Sequence, residues 1–161
     1  MSKSTPRIPD RSKYLLLRPR GARALSGAAI GGLYAWFILK FFVSDDRPWL
    51  QVAIGLLGLL GVVGSLVMFC CTYGFLANAP DSSLDERELQ QRNAAYLRAY
   101  TYAVSMLLIG YIGTDLIGKV FASIEVSSSM IRNFLNLAFF TCLIMPAAIL
   151  AWRDQPISEE N

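Results

Sequence analysis

"GLLGLLGVVGS", residues 55–65, places a glycine at every third position of a run that is otherwise leucine and valine. In a helix bathed in water each glycine costs roughly 1 kcal/mol against alanine. Four of them, Gly55, Gly58, Gly61 and Gly64, would make a poor soluble helix. In hydrocarbon the balance changes. Lipid cannot hydrogen-bond an exposed backbone, so helix is the state open to a single apolar segment. Helices in lipid gain no hydrophobic attraction for one another, and their association depends on close packing, which glycine permits. The stretch therefore reads as part of a membrane-spanning helix with other helices drawn up against it. Each three-residue step turns a helix by about 300°, so the four glycines sweep about half the circumference. That arc predicts a steep crossing or two close neighbours rather than one straight partner.

The rest of the chain has the same character. Of its 161 residues 54% are hydrophobic and 17% charged. The apolar ones gather in four blocks, about 25–43, 49–77, 97–121 and 131–152. Each approaches or exceeds the 20 or so residues that cross a hydrocarbon core of roughly 30 Å. None carries the polar stripe of a soluble bundle. The expectation is an all-α integral membrane protein with four transmembrane helices. The first block is read as a retained span rather than a signal peptide, because "FFVSDDRPW" after it offers no small-residue cleavage site.

Positive charge sets the expected orientation. Lys3, Arg7, Arg11, Lys13, Arg18, Arg20 and Arg23 precede the first span; Arg87, Arg92 and Arg98 lie in or just after the middle linker; Arg153 follows the last span. The two remaining loops hold only Arg47 and Arg132, with Lys40 and Lys119 near adjoining span ends. Both termini and the linker, residues 78–96, are expected in the cytoplasm. Residues 1–23, with Pro6, Pro9 and Pro19, read as a flexible basic tail. Its arginines Arg18, Arg20 and Arg23 are candidates for contact with anionic lipid headgroups. Nucleic-acid binding is not expected, since no folded module accompanies the charge. Residues 153–161 form a second cytoplasmic tail.

In the linker, "SSLDERELQQR" pairs Ser83 with Glu86 in a capping-box pattern. Acids precede arginines, which suits the helix dipole, and Glu88 and Arg92 stand four apart as an ion-pair spacing. No proline or glycine interrupts residues 84–109. The third helix is therefore expected to start near Leu84 in the cytoplasm, protrude for roughly 12 residues, or about 18 Å, and run into the membrane. Tyr96, Tyr100 and Tyr102 would mark the interface. The stub reads either as a solvated extension or as a docking handle carrying Glu88 and Arg92.

"LDERELQQRNAAYLRAY" followed by "MPAAILAW" near the chain's end resembles a loose class of small bacterial inner-membrane proteins. In that class an LDERE-like linker leads into the third of four spans. The resemblance covers residues 84–152 and implies a bacterial inner membrane and a four-span plan. It carries over no activity.

Candidate functional residues fall into two groups. Small residues mark packing faces: Gly27 and Gly31 with Ala35 in the first span, Gly55 to Gly64 in the second, Gly110 and Gly118 with Thr114 in the third. Polar residues at depth are functional hypotheses by default. Asp115 has Lys119 one turn on, while Lys40 and Asn136 sit at related depths, so the four are expected to form a polar cluster. That cluster reads as an ion pair with a snorkelling lysine, or as a proton- or cation-coupled transport site. The first is favoured because none of these groups lies at the bilayer centre. Pro146 is expected to bend the last span by removing the hydrogen bond to the Cys142 carbonyl.

Exclusions follow from what is missing. The absence of histidine removes bis-histidine haem ligation, most zinc sites and His-based catalysis. Cys70, Cys71 and Cys142 form no C-x-x-C pair and read as structural thiols. No cofactor or metal is expected, and no enzyme. The function expected is a non-catalytic accessory, structural or regulatory protein that packs against other membrane subunits or against itself. The alternative is a small oligomeric transporter using Asp115.

Overall fold

A computed structural model describes residues 15–42, 47–120 and 127–153, with side-chain surroundings given for 15–40, 47–116 and 127–153. It is all α. The helices are α1 (Pro19–Phe42), α2 (Pro48–Cys70), α3 (Thr72–Asn78), α4 (Glu86–Val120) and α5 (Ser128–Arg153), with a 3-10 turn at Asp81–Ser83 before α4. Pro48 opens α2 at its first turn, where its missing N–H costs nothing. Pro19 opens α1 in the same way, and the Arg18 carbonyl accepts the first helical bond from Ala22 N–H.

Among the described residues three helices, α1, α2 and α5, are long and apolar enough to cross a membrane; the expectation was four. At 35 residues α4 measures about 52 Å, so length is no obstacle. The described part of α4 has a charged start, with Tyr96, Tyr100, Tyr102, Thr114 and Asp115 further on diluting its apolar run.

The helices run alternately up and down. The proximal end gathers the start of α1, the end of α2, α3, the start of α4 and the end of α5. There the Arg23 Nε–H donates to the Ala151 carbonyl at 2.9 Å, and the Trp152 indole donates to Ser26 Oγ at 3.1 Å. The core of this end is built from small residues, Ala22, Ala29, Ala95, Ala147 and Ala151, around Met68, Ile144 and Leu150. At the distal end Leu33, Met106, Leu137 and Ala138 meet under Phe37, Phe134 and Phe140. Helix α5 is the hub, packing against all four other helices. It is also the most buried of the three candidate spans. Pro146 is buried within it, and the helix is assigned as continuous past the proline.

The α1–α2 hairpin explains most of the glycines, and it corrects the expected arc. Trp36, Leu33 and Ala29 of α1 lie over Gly58, Gly61 and Gly64 of α2. A Cβ on those glycines would stand 2.7, 2.8 and 2.9 Å from the three side chains. One antiparallel partner therefore occupies three of the four positions, because the side chains of α1 reach round α2. No described glycine has positive φ. The glycines supply space, not backbone freedom.

The second expected span, 49–77, is not one helix. It breaks at Cys71, whose backbone is extended (φ −84°, ψ 175°). A break inside an apolar run leaves helix-end groups without partners, and the chain supplies several. Met68 O accepts the Cys71 N–H at 3.4 Å and the Cys71 thiol at 2.9 Å. Thr72 N–H and its hydroxyl both donate to the carbonyl of Leu15 at 3.2 Å, so residues 15–18 patch the gap. Gly74 lets α3 fold back on α2: a Cβ there would collide with the Phe69 carbonyl and stand 2.7 Å from Met68 O. Gly74→Ala is expected to destabilise the protein by about 3 kcal/mol, since backbone atoms cannot step aside. Gly27→Ala, into open space, is expected to be neutral or to stabilise by up to about 1 kcal/mol. Thermal unfolding of both variants in one mild detergent checks the contrast.

Candidate membrane-helix interface

The start of α4 is capped two residues later than its sequence suggests. Asp85 precedes the helix; its carboxylate accepts the Glu88 N–H at 2.6 Å, and Glu88 reaches back to the Asp85 N–H at 3.4 Å. The capping box is thus Asp85–Glu88, not Ser83–Glu86. Ser83 instead donates to Pro80 O at 2.7 Å within the 3-10 turn. Nor is Arg92 directed by its spacing to Glu88. Its guanidinium donates to Ala79 O at 2.5 Å and pairs with Asp81, its own side chain only 11% exposed. Tyr96 O–H donates to Asn78 at 3.3 Å beside it. Arg92 therefore ties the linker to α4, while Asp81, 76% exposed, holds little charge energy in the pair.

Of the three basic candidates before the first span, Arg18 and Arg20 are exposed at the proximal end. Arg23 is not turned outward. It meets one of the last carbonyls of α5, a helix end with unpaired acceptors and negative dipole charge. The rest of the basic tail, residues 1–14, lies outside the described residues, as do residues 154–161.

Of the expected polar cluster, Lys40, Asp115 and Asn136 fall within the described side chains. Lys40 donates to Gln51 across the α1–α2 hairpin. Asn136 lines a lateral recess of about 320 Å³ with Leu33, Trp36, Gly55, Gly58, Leu59, Val62 and Phe140. Asp115 is exposed on α4. What surrounds Gly118 and Lys119 lies outside the described side chains. Lys40 and Asn136 belong to the side formed by α1, α2 and α5, while Asp115 is on α4, which packs along α5.

The packing glycines divide in two. Gly58, Gly61 and Gly64 are covered by α1, and Gly110 lies against the ring of Phe134, which a Cβ would strike. Gly32, which sequence inspection passed over, also faces the backbone of α2: its Cβ would lie 3.5 Å from the Leu57 carbonyl oxygen and 3.7 Å from Gly61 Cα. Gly27, Gly31 and Gly55 have nothing within 4 Å. Ala24 and Ala28 are exposed beside the first two. A smooth strip of α1 and a notch of α2 are therefore left uncovered by the described residues. Large apolar side chains share that outer surface, among them Leu56, Leu59, Leu60, Leu135 and Phe139.

The thiols divide as well. Cys71 is buried, Cys142 half-buried and Cys70 exposed, and all three are free. Comparison of the chain with protein-family models, curated proteins and solved structures gave no match.

Sequence inspection also missed a polar bridge between α1 and α4 at mid-height. Tyr102 O–H donates to Tyr34 Oη at 2.6 Å, and Tyr34 in turn donates to Met106 Sδ at 3.5 Å. Tyr102, expected at the interface, is instead turned inward. Its signal was its position two residues beyond Tyr100, which rotates it about 200° round the helix. Tyr102→Phe removes the bridging hydroxyl and is expected to lower stability in detergent by about 1 kcal/mol. Tyr100→Phe, at an exposed position, is expected to leave the same melting curve unchanged.

Proposed function

We propose that this chain is a non-catalytic accessory or regulatory subunit of a bacterial inner membrane. It spans four times with both termini inside, at about 25–43, 49–77, 97–121 and 131–152. It packs against other membrane helices in an oligomer or a larger complex. The observation that carries the reading is the uncovered small-residue strip on α1, where Gly27 and Gly31 meet nothing within 4 Å. Glycine at depth favours close approach of a second helix, and the described residues provide none there. The fourth span is supported by α4 lying along α5, with Gly110 against Phe134. That pairing carries the second half of α4 beside a helix apolar enough to cross. Charge bias supports the orientation, and Arg18 and Arg20 at the proximal end suit anionic headgroups.

The alternative of a cation-coupled transporter has one feature in its favour, the broken α2–α3 segment, since discontinuous helices bind ions in many transporters. The break lies at the proximal end, however, and Asp115 is in the distal half of α4.

Gentle extraction of the tagged full chain from its native membrane, followed by mass spectrometry, is expected to yield a stoichiometric membrane protein, itself or another. A monodisperse monomer both in mild detergent and in the native membrane would count against the reading. Asp115→Asn is expected to leave the assembly unchanged. Cation flux into proteoliposomes that disappears with Asp115→Asn would favour the transporter instead.

A further inference from the structure

Hydroxyl groups on the spanning helices are largely turned back on their own backbones. Ser65 donates to Gly61 O at 2.8 Å, Thr141 to Leu137 O at 2.7 Å and Thr114 to Tyr111 O at 2.8 Å. Asn78, at the proximal end, does the same with its amide, donating to Gly74 O at 2.8 Å. Asn136 does not. Its amide makes no hydrogen bond among the described residues and is exposed at the recess between α1, α2 and α5. The indole N–H of Trp36, in the same recess, makes none either. Asn136 lies eight residues into α5, about 12 Å along its axis. With the 26-residue helix centred on a hydrocarbon layer of roughly 30 Å, that depth is well inside the apolar region. An amide there without a partner is costly.

We infer that a second copy of this chain docks at the recess and that the two Asn136 amides hydrogen-bond to each other. The inference rests on the proposed membrane reading and names the partner within it. Two arguments single out a second copy. First, an amide carries both donors and acceptors, so it is complementary to itself. Second, a two-fold axis along the membrane normal puts the same residue of both copies at the same depth. Any other partner needs its own polar group at that level, and such groups are rare in spans. The surroundings fit the docking. Gly55 leaves a notch beside Asn136 with nothing within 4 Å. Leu135 and Phe139, 54% and 62% exposed, flank Asn136 on α5 and are placed to enter the recess of the partner. Lys40 and Gln51, hydrogen-bonded one turn further out on α1 and α2, stand at the rim.

The test uses the full chain with a fluorescent fusion, reconstituted in liposomes of phosphatidylethanolamine and phosphatidylglycerol. Photobleaching steps are counted across a range of protein-to-lipid ratios. Wild type is expected to dimerise. Asn136→Leu is expected to need about tenfold higher density for the same dimer fraction, and Asn136→Gln, which keeps the amide, to stay close to wild type. Gly55→Leu sets its Cβ in open space and blocks the notch, so it is expected to weaken the dimer while the monomer stays folded. Its circular dichroism and elution should match wild type. A wild-type chain that is monomeric at every density overturns the inference. So does dimerisation that neither Asn136→Leu nor Gly55→Leu alters. If a different membrane protein co-purifies from native membranes while the chain alone remains monomeric in liposomes, the second copy is excluded and the accessory role stands.

Discussion

Three α2 glycines receive the side chains of α1, and much of the fold depends on that approach. Trp36, Leu33 and Ala29 descend onto Gly58, Gly61 and Gly64 closely enough that a methyl group on any of the glycines would collide. Two helices held this close expose a shallow seam rather than a deep groove, and α5 lies in it. Because α5 then touches every other helix, α4 is left at the outside with most of its surface uncovered. The lateral recess follows from the same contact. It is the part of the seam that Trp36 bridges and that α5 enters with Asn136 and Phe140.

Satisfaction of backbone groups is the second constraint, and it shapes the proximal end. The break at Cys71 frees donors and acceptors inside an apolar stretch. The structure meets them with the Cys71 thiol, the Thr72 hydroxyl and the carbonyl of Leu15. The segment before the first span thereby becomes part of the fold. Arg23 has a comparable role at the end of α5, where it faces the Ala151 carbonyl. A basic residue near a membrane surface thus serves packing first, and its charge also suits the dipole it meets. Arg92 does similar work between the linker and α4. For both arginines a polar group expected to face outward or to form a local pair is spent on a helix end or a turn.

These contacts separate the well-determined part of the molecule from its open part. Small side chains fill the proximal core, and hydrogen bonds tie α1 to α5 there. Toward the distal end the polar links are few, and the exposed apolar surface of α2, α4 and α5 is broad. An accessory role rests on that contrast, since a chain that closed all its own faces would have no surface suited to a partner helix.

Local sequence was enough to read the chain as helical and to single out glycine as a source of packing space. Those features are local: apolar length, proline at helix starts and the spacing of small residues are written along one segment. It also pointed to Asn136 as a polar residue at depth. Only the tertiary structure decided which glycines are used. Gly58 and Gly55 differ in no local property, and α1 happens to cover one and leave the other open. The same holds for the break at Cys71. The residues 70–74, "CCTYG", are mediocre helix formers, yet nothing in them names Leu15 as the group that patches the gap. The placement of polar residues round the helices is tertiary for a related reason. Depth along a helix can be counted from residues, but which side of the hub a residue faces is set by the order in which the helices pack.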